Sequence, residues 1–521
     1  MKRFLINVVS LLLFSILLFS CTSNKSALSD QKVEVTKIDA TSNNSNADEV
    51  VEVSGGKLRG SKKNDVYEFL GIPYAEATEF FKEATEVQWD GIYDATKYGK
   101  KSIQSAMFGG AAIEPKDDEN NNCQNLNIWT NGLDNGKRAV MVWLHGGGFS
   151  SGSANDEMYN GTNLAKNQNV VVVGVNHRLG TFGHLNLSAY GDEYKYSANI
   201  GMDDIVKALE WINKNIDKFG GDKNNVTLFG ESGGGAKVLA MMTTGKAKGL
   251  FNKGIVESGA TETMGVKFAE LAPSLAIGER VLEKLGINKD NIEEIQNKSI
   301  FEISKAASLA QQEIAEEYKI PVSIGNGYSY DWEPVVDKDF LPTDPVLENG
   351  FAKNGEGISL LIGSNLNEWS IAMEDLLAFK NMTDEEKEEY KKAYPNEDEN
   401  TAMYVDTLIR KPMLKIMSHK YDQKNGDVYA YVFTKQVGDR GSYHTAEIPF
   451  VFDNVDDKLA DTMSEAWANF AKTGVPSANG LDTWGKYDRE SMATMIFDDI
   501  SYLAHNHDKK LISLLEPDYK Y

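Results

Sequence analysis

The run V-T-L-F-G-E-S-G-G at 226–234 constrains this chain more than any other stretch. A short apolar segment that reads as a strand buried on both faces leads straight into a G-x-S-x-G pentapeptide, and residues 235–243 continue as a helix former. Glycines around Ser232 permit a cramped strand-to-helix turn that a Cβ would obstruct, and such a turn lifts the serine hydroxyl above the sheet. The N-terminus of the following helix faces it with free N–H groups. Ser232 is therefore a candidate nucleophile, and the chain must build a sheet able to carry that turn.

The rest of the chain supplies one. Residues 139–144 (A-V-M-V-W-L) and 170–175 (V-V-V-V-G-V) are nearly continuous apolar runs, the pattern of strands covered on both faces in a parallel sheet. Between 202 and 219, Ile205, Leu209, Ile212, Ile216 and Phe219 recur at helical spacing, and Gly220 and Gly221 supply the stop. Further strands are predicted at 254–256, 359–362 and 428–433, and Leu459, Met463, Trp467 and Phe470 mark an amphipathic helix closed by Gly474. The fold class is α/β, a central and mostly parallel sheet flanked by helices. Residues 265–326 lack buried-strand runs and are helical in pattern, so a helical cap inserted over one end of the sheet is expected there.

Charge and cysteine content narrow the partners. Lys plus Arg number 54 against 77 for Asp plus Glu, a net of −23 that would repel a nucleic acid backbone. Two cysteines make neither a disulfide framework nor a cysteine-based zinc site, and no cofactor or metal is expected. They have different places. Lys2 and Arg3 precede an apolar stretch at 4–19, broken by Asn7, Ser10 and Ser15 and shorter than the ~20 residues that span a bilayer, so 1–20 reads as a secretory signal. It ends Leu18, Phe19, Ser20, Cys21, which resembles a bacterial lipobox whose cysteine is lipidated through sulfur and becomes the first mature residue. Residues 21–49 are rich in Ser, Asn, Thr and Lys and suit a flexible tether. The expectation is an exported protein anchored by Cys21 in the cell membrane or outer membrane, with its folded domain at 50–521. Cys123 is then left alone in that domain, as a small apolar filler.

A serine nucleophile needs an oxyanion site, a base and an acid to orient the base. His145-Gly146-Gly147-Gly148-Phe149 follows the strand ending at Leu144 and resembles the H-G-G-G loop whose backbone donors stabilise tetrahedral intermediates in lipases and esterases. Where the fold is an α/β-hydrolase, the chain order is serine, acid, histidine. His419, His444, His505 and His507 come late enough. His419 lies in a Lys-rich helical stretch, and His505 and His507 near the C-terminus read as solvated, which leaves His444, in a loop after strand 428–433. Glu368, past the strand S-L-L-I-G and the turn at Ser364 and Asn365, is the first choice of acid, and Asp337 is the second.

These stretches, with G-I-P-Y-A at 71–75, V-N-H-R-L-G at 175–180, N-I-G-M-D-D at 199–204, F-G-G-D at 219–222, P-V-V-D at 334–337, I-G-S-N-L-N-E at 362–368, H-T-A-E-I-P-F-V-F at 444–452 and W-A-N-F-A-K-T-G at 467–474, resemble the type B carboxylesterases. That family shares the α/β-hydrolase fold and includes the cholinesterases and para-nitrobenzyl esterases. The resemblance implies hydrolysis of a small-molecule carboxylic ester through an acyl-enzyme, with Ser232, Glu368 and His444 as the triad and Gly147, Gly148 and Gly233 as oxyanion donors. Four departures stand out. Gly233 replaces the family's usual Ala, and Trp369 replaces its usual Gly. The family's partner for Cys123 falls at Ser102, Ile103 and Gln104, so the loop disulfide is absent. Residues 98–123 contain no Trp, the indole with which cholinesterases hold quaternary ammonium, so the resemblance is to a carboxylesterase and not a cholinesterase. Two other readings compete: a neuroligin-like binding module, which would lack the nucleophile, and a solute-binding lipoprotein, which leaves the serine turn unexplained. Neither acyl group nor alcohol follows from the fold.

Overall fold

The computed structural model describes residues 49–106, 110–322, 327–369, 381–397 and 407–521. The expected signal segment, Cys21 and all but the last residue of the expected tether lie outside them, as do residues 323–326 at the end of the expected helical insertion.

In chain order the main sheet is built from β1 (Ser61–Lys63), β2 (Val66–Pro73), β3 (Asn125–Thr130), β4 (Arg138–Leu144), β5 (Val171–Val175) and β6 (Gly221–Glu231). It continues with β7 (Lys253–Glu257), β8 (Ser359–Asn365), β9 (Val428–Phe433), β10 (Thr494–Phe497) and β11 (Tyr502–Ala504). Across the sheet the order is β11-β10-β9-β8-β7-β6-β4-β5-β3-β2-β1. Neighbours from β10 through to β5 pair in parallel, and the flanking pairs are antiparallel. Parallel strands need crossovers that lay helices on both faces, which is why β5, β7 and β9 are buried at every position and why β5 and β9 read as unbroken apolar runs. A three-stranded sheet of Val50–Val53, Gly56–Arg59 and Ile92–Asp94 stands beside it.

The sequence boundaries shift in informative ways. Helix α1 (Ile200–Asn215) carries the expected stripe but gives way to a 3-10 turn at Ile216–Phe219, closed by Gly220 in the left-handed region at φ 72°. Strand β6 extends to Glu231 and helix α2 (Gly233–Thr243) begins two residues before its predicted start, so Ser232 alone separates them. Residues 265–326 hold α3 (Leu271–Leu285), a 3-10 stretch at Lys289–Asn297 and α4 (Ile300–Tyr318), whose Ile277, Val281, Ile303, Ala307 and Ile314 share one apolar cluster with Phe182 and Trp332.

One face of the sheet is packed by rings. Trp143 meets Phe229 at 4.8 Å and Phe452 at 5.0 Å, and α5 (Lys458–Thr473) buries Trp467 against Tyr431 and Phe497. Truncating such a tryptophan typically costs about 3–5 kcal/mol. The two motifs N-H-R-L-G and N-I-G-M-D-D meet in a fully buried ion pair. Arg178 Nη2 lies 2.7 Å from Asp204 Oδ1 and its Nε 2.8 Å from Oδ2, while Nη1 donates to the carbonyl of Lys82, so both charges are fully bonded. Cys123 sits beside them, buried, its thiol pushed far up by that burial. Because the middle strands run in parallel, the loops after β4, β6, β8 and β9 all emerge at one edge of the sheet.

Candidate active site

Ser232 occupies that edge in a strained conformation, φ 55° and ψ −127°, which non-glycine residues adopt where the surroundings enforce it. What enforces it is main chain: Ser232 N–H donates to the carbonyl of Glu257 at 2.8 Å, at the end of β7. The loop after β4 comes alongside. Gly147 and Gly148 have φ of 85° and 60°, a path that side chains resist. Gly147 O accepts from the N–H groups of Ser150 and Ser151, and Gly146 O pairs with the ring Nδ1 of His145 at 2.8 Å. With the carbonyls engaged, the N–H groups of Gly147, Gly148 and Gly233 find no protein acceptor among the described residues. His145 itself is packed on His177, and burial lowers its pKa to about 3, so it stays neutral and structural.

Glu368 and His444 come from the loops after β8 and β9. His444 Nδ1 is 2.6 Å from Glu368 Oε2, the other oxygen of that carboxylate accepts Asn365 N–H at 2.7 Å, and His444 N–H donates to the carbonyl of Glu368 at 2.7 Å. The carboxylate is thus fixed from both sides and fixes the ring in turn. Nε2 faces the opposite way, 3.2 Å from Glu231 Oε1 but without the alignment of a hydrogen bond. Trp369 lies flat on the imidazole, ring centres 4.4 Å apart.

Asp337, the second choice of acid, is elsewhere: it accepts from the Asn199 side chain and from the N–H groups of Asp339 and Leu341. His419 is half-buried on helix Arg410–Asp422, its Nδ1 paired with Gly350 O. His505 is exposed, as expected, whereas His507 is not solvated. Its side chain packs edge-on to Tyr394 at 5.4 Å beside the buried Arg410–Asp508 pair, and burial lowers its pKa to about 4. A position near the chain end says nothing about burial once the last strands and helix fold back onto the body.

Three further buried carboxylates lie in this region that motif reading did not assign, two of them, Glu231 and Glu447, near enough to act on His444 and the third, Glu257, near those two. Glu231 lies within the pentapeptide, Glu257 ends β7 with Oε1 accepting the Trp467 indole N–H at 2.9 Å, and Glu447 accepts from Asn365 Nδ2. Burial raises all three, Glu231 to about 8 and Glu447 to about 7. Burial alone would push His444 down, but Glu231 and Glu368 override it and raise the ring to about 10. The two upward shifts oppose each other, because a proton on Glu231 removes the charge that most lifts the ring. The two groups therefore titrate as a coupled pair, each raised above its ordinary range, by burial for the carboxyl and by the neighbouring carboxylates for the ring. Charged residues inside an otherwise glycine-rich and apolar stretch, Glu231 and Lys237, were the available sequence signal for this layer.

Ser232, His444 and the glycine loop open into one cavity of about 520 Å³, walled by Phe149, Met264, Val322, Trp332, Trp369 and Leu408. A serine turn, a donor loop and a histidine gathered at the carboxyl edge of a parallel sheet define the α/β-hydrolase class. Comparison with known proteins is more specific. A model of the carboxylesterase family matches residues 47–402 and 395–510. The para-nitrobenzyl esterase of Bacillus subtilis is 32% identical over 489 residues, 86% of this chain and 95% of that protein. An esterase from Clostridium hathewayi that can hydrolyse aliphatic aromatic polyesters superposes with a TM-score of 0.77 at 30% identity, over 90% of this chain and 98% of that one. A carboxylesterase of Geobacillus stearothermophilus gives 0.71 at 29% identity, over 89% and 99%. The chain belongs to the carboxylesterase family and is a carboxylic ester hydrolase.

Proposed function

We propose that Ser232 Oγ attacks the ester carbonyl while His444 Nε2 takes its proton, that Glu368 steadies the resulting imidazolium, and that the N–H groups of Gly147, Gly148 and Gly233 hold the oxyanion. Collapse expels the alcohol with the proton returned by His444. A water activated by the same nitrogen then attacks the acyl carbon and releases the acid and free Ser232. The observation that carries this reading is the 2.6 Å contact of Glu368 with His444 Nδ1, which leaves Nε2 as the ring nitrogen available for a proton, on a residue that lines the same cavity as Ser232. Charge develops on the carbonyl oxygen only in the tetrahedral state, so fixed donors there lower the barrier instead of merely tightening binding. An organophosphonate ester should modify the peptide that holds Ser232, and Ser232→Ala should abolish turnover. An adduct on another residue, or full activity in that variant, overturns the mechanism.

The apolar and aromatic wall of the cavity favours esters with bulky apolar or aromatic groups, in keeping with the names of the relatives. Residues 265–326 act as the cap of that cavity, since Pro321 and Val322, just past α4, contribute to its wall. The chain is exported and held to the bacterial cell envelope by lipid on Cys21, with 21–49 as tether to a domain spanning 50–521. The basis is the charged start, the short apolar run and the Leu18-Phe19-Ser20-Cys21 stop. Cys21→Ala protein should leave the membrane fraction, and retention there refutes the anchor.

A further inference from the structure

Helix α2 carries a lysine where every neighbour is buried. Lys237 is itself fully buried, one turn beyond Ser232. Its Nζ forms no ion pair with a carboxylate among the described residues. It donates instead to two main-chain carbonyls, that of His145 at 2.9 Å and that of Gly148 at 2.8 Å. Those carbonyls bracket the cavity-lining segment whose Gly147 and Gly148 N–H groups find no protein acceptor among the described residues. Placing a long cationic side chain in the interior is unfavourable, and burial lowers the Lys237 pKa to about 7 against the pull of Glu231. The two bonds survive either way, since a neutral amine still offers two N–H groups.

A second observation falls on the same carbonyl. A Cβ at position 233 would lie 2.1 Å from Gly148 O and 2.5 Å from Gly148 Cα, so the glycine loop rests on the first turn of α2 more closely than any side chain there allows. Gly147 O is already taken by Ser150 and Ser151 N–H, and Gly146 O by His145. With Lys237 on His145 O and Gly148 O, every carbonyl from 145 to 148 is committed.

We propose that Lys237 is a positioning residue for ester hydrolysis, drawing the carbonyls of His145 and Gly148 onto helix α2 so that the N–H groups of Gly147 and Gly148 point at the nascent oxyanion, with Gly233 providing the clearance. This rests on the assignment of that loop as the oxyanion site. Lys237 touches no reacting atom; it acts through the loop's backbone.

The test uses Lys237→Met, which keeps the length and apolar stem but removes the donor, alongside Gly233→Ala and the double variant. Each is measured for kcat, KM and affinity for two inhibitors of one shape: a trifluoromethyl ketone, which forms an anionic tetrahedral adduct with serine, and the corresponding methyl ketone, which binds without one. The expected result is a kcat about 10²-fold lower, the scale of losing one oxyanion donor, with KM little changed. Trifluoromethyl ketone affinity should fall in proportion while methyl ketone affinity holds. Because both changes release the same carbonyl, the double variant should lose little more than the worse single one. An unchanged kcat in Lys237→Met overturns the proposal, as do equal losses for both ketones or fully multiplicative effects. Should Lys237→Met fail to fold, Gly233→Ala decides alone, and an unchanged ratio of the two ketone affinities refutes the clearance argument. Phosphonate labelling of each variant keeps the two readings apart: an adduct away from Ser232 removes the nucleophile assignment, whereas an adduct on Ser232 with unaltered kinetics removes only the role of Lys237.

Discussion

The serine half of the site is held by main chain, and the histidine half by charge. Around Ser232 the determinants are a strained φ, a bond to the Glu257 carbonyl and a loop of left-handed glycines tied down by Lys237, whose two bonds to main-chain carbonyls persist in either protonation state. Around His444 they are Glu368 in direct contact and Glu231 and Glu447 close enough to move its pKa. Backbone geometry does not titrate. The difference therefore locates the pH dependence of the enzyme in one half, while the other keeps its shape across the pH range in which carboxylates and imidazole exchange protons.

Three measurements would break or sharpen this contrast. The largest effect belongs to Glu368→Gln, whose amide keeps the shape without the charge. A loss of about 10³–10⁴ in kcat is expected, against a kcat near wild type for Asp337→Asn, whose bonds go to Asn199 and local N–H groups. The reverse ranking would move the acid to the second candidate and dissolve the charged half as described. Next comes Glu231→Gln. The Glu231 carboxylate favours the imidazolium, so without it the ring releases its proton at lower pH. Because turnover needs the neutral ring, the acid limb of the kcat/KM profile should move down by about one unit or more. A shift to higher pH would show that the nearby carboxylate does not control the ring. The smallest effect is assigned to Trp369→Ala, which strips the ring stacked on His444 and widens the cavity there. Competition between a bulky and a small acyl ester should change by no more than about tenfold in favour of the bulky one. A larger collapse of kcat for both would mean that Trp369 orients the imidazole as strongly as Glu368 does.

What could be read in advance divides along the same line. The turn at Ser232, the buried strands and the stop at Gly220 depend on residues adjacent in the chain, so their geometry is written in local pattern. The choice of His444 over His419 rested on a helical pattern around His419 and on the sheet edge, because the parallel sheet sends the loops after β6, β8 and β9 to one side. The charged layer was not legible. Glu257 and Glu447 lie 190 positions apart in sequence numbering, and their approach to each other exists only once β7 and the loop after β9 are in register. His507 failed for the same reason, its burial being set by Tyr394 and Arg410 from distant segments. Nor does a motif declare its purpose: the arginine and aspartate of N-H-R-L-G and N-I-G-M-D-D make a sealed ion pair away from the chemistry.

The burial of Cys123 gives the domain an internal clock. In a chain with Cys21 replaced, it is the single thiol, fully enclosed and held in its unreactive protonated form far above the usual cysteine range. An alkylating reagent in solution can reach it only when the packing around Arg178 and Asp204 opens, so the rate of thiol loss under native conditions counts openings of the sheet's interior. Bound ester analogues that tie the loops at the carboxyl edge together would slow that count if those loops open with the interior, and leave it untouched if the edge breathes alone.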